Sequence, residues 1–140
     1  MKKFCLSFLV ASFLVLMSCD LGLDDSSSSE IGDLRITFVG VDETKFYYFG
    51  GTRNGVLTYQ YSGIDDDDPS TPTGKRIADA GNVFTLSVLN TGTWNWVIHE
   101  LNEATGVEGI ASATKNNTVT LTGIIIKNGK TSNVTADFSD

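Results

Sequence analysis

From Leu34 onward, short runs of β-branched, aromatic and aliphatic residues alternate with Gly, Asn, Asp and Pro breaks, and this pattern predicts an all-β domain. No window of eleven residues carries an apolar stripe at helical spacing, so helical bundles and alternating β/α folds are not expected. Closely spaced strands joined by turn residues predict an antiparallel sandwich of about seven strands.

The first strand is expected over residues 34–41, where Leu34, Ile36 and Phe38 fall on one face and Arg35, Thr37 and Val39 on the other. Residues 45–49 and 56–62 follow as a hairpin across Asn54-Gly55, since a type I′ turn needs positive φ at both central positions. Residues 63–74, with four consecutive aspartates and two prolines, read as a loop. Further strands are expected over 83–89, 93–101, 106–114, 118–127 and 131–138. Asn128-Gly129 predicts a second hairpin of the same type between the last two.

The first twenty residues differ in kind. Lys2 and Lys3 precede an apolar run from Phe4 to Met17 that ends in Leu16-Met17-Ser18-Cys19. At about 14 residues the run is short of the roughly 20 that span a bilayer. The ending resembles the lipobox of bacterial lipoprotein signal peptides, with an aliphatic residue at minus three and a small one at minus one. The resemblance implies cleavage after residue 18, lipid attachment at Cys19, and a domain held outside the cytoplasm at a bacterial cell-envelope membrane. An ordinary secretory signal usually has small residues at both minus one and minus three, and Leu16 is not small. Residues 19–32 are rich in Asp, Ser and Gly, with Leu21, Leu23 and Ile31 as their large apolar side chains. They read as a flexible tether holding the domain, residues 33–140, roughly 20 Å from its anchor.

Composition narrows the partners. The formal charge is −7, and removing residues 1–18 takes away two lysines and no acid, leaving −9. So acidic a chain is not expected to bind nucleic acid, which needs clustered Lys and Arg, nor to add an electrostatic contact with anionic lipid to its lipid anchor. Cys5 leaves with the signal peptide and Cys19 carries the lipid, so the mature domain has no thiol for disulfides, catalysis or metal.

The second half carries a further resemblance. The run at 84–89, then Gly92-Thr93-Trp94-Asn95-Trp96-Val97-Ile98, and finally the Lys-Asn-Gly-Lys-Thr-Ser-Asn-Val-Thr run from Lys127 to Thr135 resemble the prealbumin-like and carboxypeptidase-regulatory-like sandwiches. In that family a Gly-Thr followed by an aromatic starts one strand and a Gly-Lys-Thr turn leads into a Val-Thr closing strand. The resemblance covers residues 83–138, is shared by many immunoglobulin-like sandwiches, and implies a mostly non-catalytic module.

Four groups of side chains are candidates for chemistry. Trp94 and Trp96 lie two apart on one strand and face the same side with Ile98; such a stripe serves either a core or a carbohydrate platform, and its continuation into Ile98 favours a core. Tyr59 and Tyr61, in line with Leu57, fit a sandwich edge with wet hydroxyls or a neighbouring ligand contact. Asp65, Asp66, Asp67 and Asp68 could gather around a hard cation, but they lack the spaced ligands of calcium loops, and a solvated acidic loop is the simpler reading. His99, the single histidine, builds no zinc site alone and has no Gly-x-Ser-x-Gly elbow to serve. Glu100 and Glu103 are a carboxylate pair of the kind glycoside hydrolysis uses, in a chain of 17 acids where such pairs arise by chance. No catalytic residue, metal or cofactor is assigned. The expected role is that of an envelope lipoprotein with a non-catalytic interaction module recognising a protein or glycan. Its contact loops would be those at 50–55, 63–74 and 89–93, gathered at one sandwich end. A carbohydrate-binding domain and a structural envelope or assembly subunit are the alternatives.

Overall fold

The computed structural model describes residues 30–62 and 72–139. The lipobox, Cys19 and the four-aspartate run lie outside the described residues. Seven strands form: β1 (Ile31–Val39), β2 (Phe46–Arg53), β3 (Val56–Ser62), β4 (Val83–Asn90), β5 (Gly92–Leu101), β6 (Lys115–Ile126) and β7 (Thr131–Asp137). They make a three-stranded sheet ordered β4-β1-β7 and a four-stranded sheet ordered β3-β2-β5-β6, the two facing across one core.

Period-two alternation decides which side chains enter that core. Leu34, Ile36 and Phe38 point inward from β1, Tyr47 and Phe49 from β2, and Trp94, Trp96 and Ile98 from β5. Phe38 lies at the centre of an aromatic cluster, parallel to Phe138 at 5.8 Å between ring centroids and edge-on to Tyr47 and Phe49 at 5.6 and 6.0 Å. These contacts join both sheets to the closing segment of the chain.

Four features depart from the sequence expectation. First, the sandwich is not purely antiparallel, because β7 runs parallel to β1 from the Asp33–Thr131 pair to Val39–Asp137. Second, the Asn128-Gly129 turn joins strands of different sheets. Gly129 has φ of 62° while Asn128 is not left-handed, so the turn is not type I′. At Asn54-Gly55, by contrast, φ is 53° and 78°, as type I′ demands. Third, a one-and-a-half-turn helix, α1 (Gly74–Asp79), follows the long loop. It is capped by Thr73, whose hydroxyl accepts from the Arg76 amide at 3.2 Å, and pinned by buried Ile77. A six-residue helix is too short to show an apolar stripe. Fourth, residues 106–114 form no strand but a 3₁₀ turn at Val107–Gly109 and an irregular connection.

One strained residue stands out. Val88 sits in the left-handed region at φ of 57°, where the ladder between β1 and β4 slips between Gly32 and Leu34. A β-branched side chain there costs about 1–2 kcal/mol. Val88→Gly would relieve that strain but give the unfolded chain more conformational entropy to lose on folding, and a net gain of up to about 1 kcal/mol is expected in urea unfolding.

The strand order fixes the geography of the two ends. Glu30, the Asn54-Gly55 hairpin, the β4–β5 turn at Asn90–Gly92 and the 127–130 turn share one end, tied by the Thr91 amide to the Glu30 carbonyl at 2.9 Å and the Gly129 amide to the Ile31 carbonyl at 2.8 Å. The 40–45 connection, α1 and the long 102–114 connection occupy the other. We call these the entry end and the far end. Of the loop expected at 50–55, residues 50–53 instead continue β2, leaving the Asn54-Gly55 turn at the entry end beside the 89–93 turn, whereas residues 72–74 lie at the far end. Seven-residue β3 carries the chain across the sandwich in between, so the three loops expected together are divided.

Candidate functional site

The far end contains the most elaborate surface of the described residues, built around the 102–114 connection. Lys115, the first residue of β6, turns its ammonium back onto this connection and donates to the carbonyls of Ile110 at 2.8 Å, Ala113 at 3.1 Å and Ala111 at 3.4 Å. Carbonyls that would otherwise lack partners are gathered by one cation. Asn102 anchors the other side, its Oδ1 accepting from Lys45 Nζ at 2.6 Å and from Asn116 Nδ2 at 2.8 Å. Between these supports lies a cleft of about 320 Å³ lined by Asn102, Glu103, Thr105, Ser112 and Thr114, with Gly109 and two alanines. Its lining is hydroxyl, amide and carboxylate, suited to hydrogen-bonding a small polar group.

Beside the cleft, one row of side chains crosses the outer face of the larger sheet. Tyr48 stacks on His99 at 5.7 Å and accepts a hydrogen bond from Gln60 Nε2 at 3.0 Å, while His99 Nδ1 lies 2.8 Å from Thr118 Oγ1. Partial burial lowers the His99 pKa from its usual 6.5, and the nearby Lys115 charge lowers it further. The unfolded chain thus takes up this proton before the folded one, so stability falls as pH drops below about 6.5. Urea midpoints are expected to decline between pH 7.5 and 5.5 in the native chain and less steeply in His99→Gln. An imidazole held neutral beside a threonine hydroxyl could accept its proton. No hydrogen-bonded carboxylate orients this ring among the described residues, and the pair reads as a support for β5 and β6.

Glu100 is engaged elsewhere. Tyr47 Oη donates to Glu100 Oε2 at 3.1 Å and accepts from the Asp42 amide at 3.2 Å, tying the 40–45 connection to β5. Burial first, and then the Glu100 carboxylate, raise the Tyr47 pKa well above the usual tyrosine range. Glu103 instead lines the cleft.

The aromatic candidates are structural in place. Trp94 and Trp96 are 1% and 0% exposed and stack on each other at 5.5 Å. Tyr59 meets Trp96 edge-on at 5.4 Å, and the Trp94 Nε1–H donates to the Asn90 carbonyl at 2.8 Å. Both indole faces are thus taken up inside the core, the reading that the stripe's continuation into Ile98 favoured over a carbohydrate platform. Tyr59 and Tyr61, half-buried and stacked at 6.1 Å, close the open rim where Tyr61 meets Phe84 of β4 at 5.9 Å. The slip in the β2–β3 ladder at Thr52 separates Leu57 from their stripe and leaves it exposed.

Among the described residues no three His, Cys, Asp or Glu side chains gather as metal ligands, and no helix is long and apolar enough to cross a membrane. The cleft itself was missed in the sequence because residues 106–114 read as a strand. The glycines at 106 and 109 and the alanines at 111 and 113, with Lys115 two residues beyond the last of them, were the available signal. Compared with known proteins, the chain matches no family model, no curated protein and no solved structure.

Proposed function

We propose that this chain is a lipoprotein of a bacterial cell envelope, anchored through lipid on Cys19, whose sandwich is a non-catalytic interaction module that recognises its partner at the far end. One observation carries this reading. The chain enters the sandwich at Glu30, at the end opposite the cleft of the 102–114 connection. Ten-residue β5 separates the two ends by about 33 Å. A domain held by its N-terminus at a surface would thus present the cleft outward, and recognition residues on connections held by strands follow the usual division between scaffold and site. The cleft's amides, hydroxyls and single carboxylate favour a polar partner, protein or glycan, bound without cofactor.

Two measurements test the two halves of the proposal. Metabolic labelling with an alkyne-bearing palmitate should mark the native protein in the membrane fraction, and Cys19→Ala should lose the label and leave that fraction. A label that persists in Cys19→Ala overturns the anchor. A photoreactive amino acid placed at Thr105 should give a defined cross-linked adduct in cells, while one at Thr135 on the opposite sheet should not. Adducts from Thr135 and none from Thr105 would move recognition away from the far end.

A further inference from the structure

We infer that the entry end of the sandwich is a docking face for an anionic lipid surface, so that the domain stands on the membrane instead of swinging on its tether. The proposal rests on the anchored reading only for its setting. Its support is the separate distribution of two kinds of side chain.

The first is apolar. Among the described residues five large hydrophobic side chains are exposed, and four of them lie at the entry end: Val56 at 65%, Leu57 at 51%, Val88 at 71% and Ile125 at 56%. Val56 and Leu57 directly follow the Asn54-Gly55 turn, Ile125 pairs with Thr93 at the start of β5, and Val88 lies opposite the first residues of β1. Each stands within about three residues, or about 10 Å, of a turn at that end. Single exposed aliphatics need no explanation, but these come from the ends of three strands, β3, β4 and β6, on both sheets and cluster at one end of the sandwich. That height matches the depth of about 5–10 Å to which apolar groups enter the boundary between headgroups and acyl chains.

The second is charge. Lys127 and Lys130 flank the exposed turn between β6 and β7 and Arg53 closes β2, against Glu30 and Asp33 at the same end. The far end carries Asp42, Glu43, Asp79, Glu100, Glu103, Glu108 and Asp137 against Lys45, Lys75, Arg76 and Lys115. Among the described residues the entry end thus carries a formal charge of about +1 and the far end about −3, so the less acidic pole lies where the polypeptide enters. That polarity opposes the contact with anionic lipid being disfavoured, as whole-chain charge alone would imply, because field strength at a surface falls off within about 8–10 Å.

Position supplies the occupant. Ten residues lie between Cys19 and Glu30, and a coil of that length would reach about 20 Å. A lipid on Cys19 would hold the entry end within that distance of the headgroups, and tethering at short range turns weak contacts into a populated docked state. Exposed aliphatics would enter the interface while Lys127 and Lys130 meet phosphates at its rim.

The test uses the full chain as processed by cells, reconstituted in vesicles of phosphatidylcholine alone or with 30% phosphatidylglycerol. A fluorophore is attached to a cysteine introduced by Asn128→Cys or, as a far-end control, Ser112→Cys, and a nitroxide-bearing lipid serves as quencher. The Asn128→Cys probe should be quenched at least twofold more with phosphatidylglycerol than without it, and the Ser112→Cys probe should not respond. Lys127→Glu with Lys130→Glu should lower the docking equilibrium constant about thirtyfold or more, at about 1 kcal/mol for each basic residue near the surface. Val88→Ser with Ile125→Ser should shift it in the same direction without altering the circular dichroism spectrum. Equal quenching at positions 128 and 112, or indifference to phosphatidylglycerol, overturns the docking face. The intact mass of the same preparation separates the two proposals. If Cys19 carries no acyl mass the anchor fails, and sedimentation of that unanchored protein with phosphatidylglycerol vesicles raised to millimolar lipid, matching the concentration a short tether would impose, still decides docking, with co-sedimentation supporting it and none opposing it.

Discussion

Trp96→Ala is expected to remove about 3–5 kcal/mol of stability, the usual cost of truncating a fully buried large aromatic. Trp96 is wholly enclosed, stacked on Trp94 at 5.5 Å and met by the Tyr59 edge at 5.4 Å. Its ring lies across Gly51, where an added Cβ would stand 2.6 Å from Cη2. The neighbours on each side are strands held by ladders, so the hole collapses little and the cavity is retained. A domain of this size has about 5–15 kcal/mol in total, and urea unfolding would show a midpoint lowered by about a fifth or more. The same enclosure predicts blue-shifted tryptophan emission, weak acrylamide quenching and no response to oligosaccharides. Trp94→Phe should cost more than Trp96→Phe. The Trp94 N–H has the Asn90 carbonyl as its acceptor, whereas the Trp96 N–H is buried with no acceptor among the described residues.

Gly74→Ala is expected to be the most damaging single-methyl addition. A Cβ at position 74 would overlap the carbonyl oxygen of Asp42, which is main chain and cannot rotate away as a flexible side chain would. The Gly74 amide also donates to the Lys45 carbonyl at 2.9 Å. Helix α1 and the 40–45 connection must therefore separate, disturbing Thr73 and the bridge from Phe46 to Thr73. Overpacking of this kind costs about 1–3 kcal/mol. The loss should appear in the unfolding midpoint, and in amide exchange it should be concentrated at residues 42–47 and 73–77. A substitution at Gly55, whose Cβ would meet nothing within 4 Å, tests the same residue type where only the positive φ of 78° is at stake.

What could be read from the sequence depended on how local the signal was. The alternation in β1, the run 56–62 and the type I′ turn at Asn54-Gly55 are set by neighbouring residues, and each is found in place. The parallel pairing of β7 with β1 joins residues about a hundred positions apart and leaves no mark in either run. Residues 106–114 contain enough β-branched and aliphatic side chains to resemble a strand. Their conformation follows from Gly106, Gly109 and the Lys115 ammonium drawing three carbonyls together. Trp94 and Trp96 were legible as a same-side pair, but only packing against the opposite sheet distinguishes a core from a platform. The cleft at the far end depended on both the misread connection and the distant Lys45 reaching Asn102, and so could not be assembled from spacing alone.

The presentation of the far end can be measured directly as a height. Energy transfer to an acceptor on lipid headgroups, from a donor attached through Ser112→Cys or Asn128→Cys in the membrane-bound protein, gives two distances from the same bilayer. If the sandwich stands on its entry end, the donor at position 112 lies farther from the headgroups by about 30 Å, the length of β5. Equal heights, or a donor at position 112 nearer the bilayer, would contradict the outward presentation on which the proposed recognition surface rests.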